Sequence, residues 1–170
     1  MRVDPRRAGG LALAAGSGVL YGSINVVAKL IDAHPFGKAA VAYLASALFL
    51  SPFLRGLRIE RRDWPKVFAM GLIGGGLAPL LLFMGLQEAA AVDTGLLLTT
   101  EMVATGALAM LFLRERFRVG EVAGLAALLA AALLVALATT GGGATTPRGA
   151  LHVLGSALAW GVDNPVSARL

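Results

Sequence analysis

Cysteine is absent from this 170-residue chain, which excludes disulfides and thiolate metal sites. Histidine occurs only at His34 and His152, and neither has a partner at ligand spacing, so no metal and no cofactor is expected. Charge is also scarce, at 15% of residues against roughly 25% in soluble domains. What remains is apolar: 57% of the residues are hydrophobic and the mean hydropathy is +0.76. That much apolar surface must face something other than water, and the bilayer is the expected partner.

Six apolar segments can be marked, at roughly 8–31, 37–54, 65–86, 91–113, 119–138 and from 149 onward. Segments of this length must satisfy their backbone groups internally, so helices are expected. Barrel strands would be shorter and would alternate. The first run follows Arg2, Arg6 and Arg7, but it is too long for a signal-peptide core and is read as a retained span. The predicted class is an all-α integral membrane protein. A five-helix transmembrane repeat covers 8–138, an outer linker 139–148, and the first helix of an inverted second repeat 149–170.

The basic residues sort by side. Twelve of the fifteen fall in alternate gaps: Arg2, Arg6, Arg7; Arg55, Arg58, Arg61, Arg62, Lys66; Arg114, Arg116, Arg118; and Arg169. The opposite gaps hold only Lys38 and Arg148, while Lys29 lies inside the first span. This asymmetry predicts a multi-pass protein of the cytoplasmic (inner) membrane with its N-terminus in the cytoplasm. A net charge of +5 therefore reflects orientation and not nucleic-acid binding. The Gly/Thr-rich stretch before Arg148 reads as a flexible linker. "GLIGGG" at 71–76 lies inside a span and reads as a close helix contact, with Pro79 as a kink.

"GSGVLYGSIN" at 16–25 recurs as "GSALAWGVDN" at 155–164, at a constant offset of 139. Tyr21 answers to Trp160 and Asn25 to Asn164. A unit of five spans is odd-numbered, so a second copy enters the membrane inverted, an arrangement typical of secondary carriers. About 130 further residues would complete that copy.

The polar residues within the spans carry the chemistry. Glu101 lies about ten residues into the fourth span, ~15 Å from its outer end. A carboxylate at that depth is expensive unless it faces the bundle. It reads as a proton relay or a substrate hydrogen-bonder, with a structural, backbone-bonded Glu as the plainer alternative. Thr94, Leu98, Glu101 and Thr105 share a helical face. On the first helix Gly18, Gly22, Asn25 and Lys29 do the same, and Gly18-x-x-x-Gly22 invites a close neighbour. Lys29 is near enough to the outer end to snorkel, and too far in depth from Glu101 to pair with it. Tyr21, Trp160, Asp163 and Asn164 are candidate cavity residues, against packing as the plainer reading.

Three places resemble the drug/metabolite transporter superfamily in its EamA-like, ten-span permease branch: "YGSINVVAK" at 21–29, "EMVATGALAMLFLRER" at 101–116 and "LAWGVDNPVSARL" at 158–170. The resemblance implies cytoplasmic termini and metabolite transport, usually export. There are departures. Met102 stands where that family usually has Pro, so the fourth helix should be straighter. Ala42-Tyr43 stands where an Arg is often found, so an anion partner is missing. Pro165 should break the sixth helix.

The expected function is a secondary transporter of small metabolites or drugs working by alternating access. Its partners would be the lipid bilayer, a small-molecule substrate, protons as a coupling ion, and the C-terminal half of the same protein. The alternative is a non-transporting structural or accessory membrane protein. No gathered set of catalytic groups suggests an enzyme.

Overall fold

A computed structural model describes residues 5–54, 59–139 and 144–167. Arg2, Arg55, Arg58 and Arg169 of the expected inner-side cations, and the glycines at the centre of the linker, lie outside the described residues. Among the described residues the structure is helical and without strands. The elements are α1 (Pro5–Leu30), α2 (Pro35–Leu50) with a 3₁₀ turn (Ser51–Leu54), α3 (Trp64–Leu72), α4 (Ala78–Glu88), α5 (Ala91–Leu98), α6 (Thr100–Leu108), α7 (Val119–Thr139) and α8 (Pro147–Ser167). A π-helical segment, Ile73–Leu77, joins α3 to α4, and a second, Ala109–Leu113, extends α6. Five stretches are long and apolar enough to cross a membrane: 9–30, 35–54, 64–88, 91–113 and 119–138. Each coincides with an apolar segment expected from the sequence.

The sixth expected span forms as α8, but it is not among those five. It carries Asp163 and Asn164 within its apolar run, and one face of it is buried against other helices while Leu151, Leu158 and Val162 stay exposed on the other. Gly149, Val153, Ser156, Ala157 and Gly161 are buried on it. It lies against α4, α5 and α6, with further contacts to α3 and α7.

Local chemistry sets the helix ends. Pro35 opens α2, where its missing N–H is no loss, and His34 Nδ1 accepts from the Phe36 N–H at 3.3 Å. At the start of α3, Lys66 bonds Asp63 at 2.8 Å, which holds the Asp63 carboxyl below its ordinary range. Glu121 reaches back to accept from the Arg118 N–H at 2.6 Å, the acidic half of a capping box at the start of α7. Arg114 ends the fourth span in the left-handed region, at φ 55°.

Lipid is as apolar as leucine, so helix association in a membrane rests on close packing and polar ties. α8 shows both. A Cβ added to Gly85 would stand 2.6 Å from Val153 Cγ2, and one on Gly149 would stand 2.8 Å from the Glu88 backbone. Ser156, fully buried, donates to the Ala78 carbonyl at 2.7 Å. Leu82, Phe83, Leu86, Leu97, Leu98 and Val153 pack into one cluster around this contact.

Four expectations need correction. The fourth helix is not straighter for lacking a proline: it is interrupted at Thr99. The Thr99 N–H bonds Leu96 O and the Met102 N–H bonds Thr99 O, each at 3.1 Å and over three residues, not four. The hydroxyls of Thr99 and Thr100 compete for the same turn, donating to Leu96 O (2.6 Å) and Leu97 O (2.7 Å). Pro165 does not break α8, which runs through to Ser167. The Gly18–Gly22 face of α1 meets no neighbour among the described residues, since nothing lies within 4 Å of a Cβ placed at either. The C-terminal end of the linker is not free, and residues 140–143 of it lie outside the described residues. Thr145 Oγ1 accepts from the Ala90 N–H at 2.9 Å and donates to Asp93, and the Thr146 N–H donates to Glu88 O at 2.8 Å.

Candidate functional site

The site begins with Pro79. In the π-helical segment the Ala78 N–H reaches back to Ile73 O. The next residue is proline and has no N–H to give the Gly74 carbonyl. Two aromatic side chains take that carbonyl instead: Trp160 Nε1 of α8 donates to it at 2.9 Å and Tyr43 OH of α2 at 3.3 Å. A third ring, Tyr21 of α1, meets Trp160 edge-on, with centroids 6.5 Å apart and planes at 64°. The two residues that match across the sequence repeat are thus in contact.

The interruption at Thr99 places the acid. The helix restarts at Thr100, so Glu101 stands in the first turn of α6, where peptide dipoles favour negative charge. Its Oε1 accepts from Asn164 Nδ2 at 3.0 Å, and the same amide donates to Thr105 Oγ1 at 3.2 Å. α8 can come this close because residue 161 is glycine: a Cβ there would lie 2.5 Å from Ala104 Cβ.

These groups border an open-sided cavity of about 420 Å³ lined by Tyr21, Tyr43, Gly95, Leu98, Thr99, Glu101, Met102 and Trp160. Ligand sites commonly span ~300–1,000 Å³. Asp163 adds a second acid close by. Its carboxylate lies where a side chain on residue 74 would stand, and its buried Oδ1 has no hydrogen-bond partner among the described residues.

Of the residues singled out in the sequence, Tyr21, Glu101 and Trp160 line this cavity, and Thr105 and Asn164 adjoin it through the amide. Asn25, Thr94 and Lys29 are not in the lining. Asn25 is buried against α5, near Gly95, with its Oδ1 unpartnered among the described residues. Thr94 is fully buried and bonds back to Ala90 O at 2.9 Å. Lys29 Nζ bonds Leu86 O at 3.1 Å and also Ala89 O, so it caps the C-terminal end of α4. Lys38 treats α1 likewise, donating to Ala28 O at 2.8 Å.

Gly95, Thr99 and Tyr43 are lining residues that the sequence does not single out for the site; Tyr43 stands out there only as the residue in place of an arginine. For Tyr43 the signal is Pro79, whose missing donor leaves a carbonyl for some side chain to claim.

No curated protein and no solved structure matches the chain. Residues 8–137, more than half of it, match the EamA-like transporter family. The structure supplies five apolar helices of spanning length, and the chain is a member of the EamA-like transporter family.

Proposed function

We propose that the protein moves small metabolites or drugs across the cytoplasmic membrane by alternating access, with Glu101 in the transport site. The single observation that carries this reading is the cavity beside α8, where Glu101 and Trp160 meet Tyr21 of α1. A mid-span carboxylate directed into a cavity is a pathway residue by default. The contact between the repeat-related Tyr21 and Trp160 suits a pseudo-two-fold axis passing between α1 and α8, with the second, inverted five-helix unit on the far side. The open Gly18–Gly22 face of α1 would then receive that unit much as α4 and α6 receive Gly149 and Gly161 of α8. On this reading residues 149–170 open the second repeat, the N-terminus is cytoplasmic, and a proton is the candidate coupling ion on Glu101.

The test is solute flux in proteoliposomes, with candidate metabolites and drugs offered as tracers. A carrier gives saturable uptake above that of empty vesicles, and Glu101→Gln lowers it by about tenfold or more. Flux equal to empty vesicles for every solute, or unchanged in the Gln variant, overturns the reading.

A further inference from the structure

We propose that the cavity beside α8 selects organic cations: a substituted ammonium carried on an aromatic or apolar body. This deepens the transport reading and rests on it for the site's purpose, though not for binding itself.

The argument is an account of donors and acceptors around the cavity. Trp160 and Tyr43 each spend their donor on the Gly74 carbonyl. Thr99 spends its hydroxyl on Leu96 O. Among the lining side chains of the described residues, only the Tyr21 hydroxyl keeps a donor. No Lys, Arg or His is in the lining. The nearest lysines along the first two helices are committed elsewhere, Lys29 to Leu86 and Ala89 carbonyls and Lys38 to Ala28 O. An anion entering this space would meet one phenol and no positive charge.

The acceptor side is rich. A carboxylate offers about four acceptor positions, and Asn164 uses one of those on Glu101. Asp163 Oδ1 is buried beside Gly74 without a partner among the described residues, adding negative potential behind Trp160 and Tyr43. Three aromatic rings and the thioether of Met102 supply much of the wall, beside Gly95, Leu98 and Thr99. Aromatic faces attract cations, most strongly where water is excluded, and a tryptophan is the best of them. A neutral apolar ligand would gain the rings but leave both carboxylates without a counter-charge. A cation with an apolar body satisfies every feature at once.

The chain has two tryptophans, and Trp64 is exposed at the start of α3, away from the cavity. Trp64→Phe therefore leaves Trp160 as the sole indole reporter. The full chain in detergent would be titrated with benzyltrimethylammonium, benzenesulfonate and benzyl alcohol, reading Trp160 emission. The expected result is a saturable change with the ammonium alone. Glu101→Gln and Tyr43→Leu should each weaken it by about tenfold, while Glu101→Asp should retain part of it. Circular dichroism checks that each variant is helical. Saturation by the sulfonate, equal affinity for the neutral alcohol, no saturable response to the ammonium, or cation affinity within about twofold in Glu101→Gln overturns the proposal. Failure of the transport reading looks different: the ammonium binds as expected, yet neither it nor any other solute crosses proteoliposomes. Conversely, saturable flux of an anion with no cation binding keeps the carrier and removes the cation site.

Discussion

The side-chain amide of Asn164 on α8 bridges two residues one helical turn apart on α6, donating to Glu101 Oε1 at 3.0 Å and to Thr105 Oγ1 at 3.2 Å. An asparagine has two donors on one nitrogen, and both find acceptors here. Asn164 is itself exposed, so little else fixes it in place. Asn164→Leu removes both bonds and leaves the carboxylate without its amide. The loss in helix–helix stability should be modest, about 0.5–1.5 kcal/mol, because polar ties in membrane bundles average under a kilocalorie. The effect on function should be larger, since an unpaired Glu101 samples more orientations. Flux that falls by less than about twofold in Asn164→Leu, with Asn164→Gln no better, would remove the amide from the transport site.

Gly161 controls the same contact from the other direction. A Cβ at this position would stand 2.5 Å from Ala104 Cβ and 3.4 Å from the Glu101 carbonyl oxygen. The first distance is far inside van der Waals contact, and a short alanine side chain on a packed helix cannot swing away. Gly161→Ala should push α8 off α6 and lengthen the Asn164–Glu101 bond. A destabilisation of about 1–3 kcal/mol is expected, as for other overpacked positions. The double variant Gly161→Ala with Ala104→Gly should restore much of it. Thermal unfolding of the purified protein in detergent checks both, and the absence of rescue would show that the strain lies elsewhere.

Pro79 is predicted to act at a distance, through a carbonyl. Replacing it with alanine supplies an N–H on the turn that now lacks one, and the Gly74 carbonyl acquires a backbone competitor. Trp160 and Tyr43 should then loosen. With Trp64→Phe in the background, Trp160 emission in Pro79→Ala should be red-shifted and more accessible to acrylamide. The helix itself should gain, because proline costs ~3 kcal/mol in an ordinary helix interior, less where a π segment already absorbs it. Unchanged emission and quenching would mean that the indole is held by packing, and that its bond to Gly74 at 2.9 Å is incidental.

These three cases show what could be read from sequence and what could not. Span positions were legible because lipid imposes one strong rule, a length of apolar chain, and five of the six expected segments meet it as helices. The sixth, α8, falls short of that rule for a physical reason: a helix with one face packed on α4, α5 and α6 can carry small and polar residues on that face. Glu101 and Trp160 were legible as exceptions to that rule. Tyr43 was not, because a tyrosine in a span is unremarkable until a distant proline frees a carbonyl 3.3 Å away from its hydroxyl. The break at Thr99 was missed for a related reason. Proline is the familiar helix breaker and position 102 lacks it, whereas two consecutive threonines supply the interruption through their own hydroxyls.

The C-terminal part of the linker offers a prediction free of the site. Thr146 precedes α8, and its hydroxyl accepts from the Gly149 N–H at 3.0 Å, which makes it the N-cap. The same hydroxyl donates to Glu88 Oε2 at 2.9 Å, so the cap is tied to the end of α4. Arg148 approaches Glu88 at 3.7 Å but is largely exposed, and that pair should contribute little. Thr146→Ala should therefore destabilise the α4–α8 corner by about 0.5–2 kcal/mol, the usual range for a lost cap. Thr146→Ser should be close to neutral, since it keeps the oxygen. Arg148→Ala should be nearly silent, and Glu88→Gln should lie between, because an amide oxygen still accepts from the threonine. The measurement is unfolding in mixed micelles, with backbone hydrogen exchange at 149–152 as the local readout. If Thr146→Ala and Arg148→Ala prove equally costly, the corner is held by charge, and the hydroxyl is not its anchor.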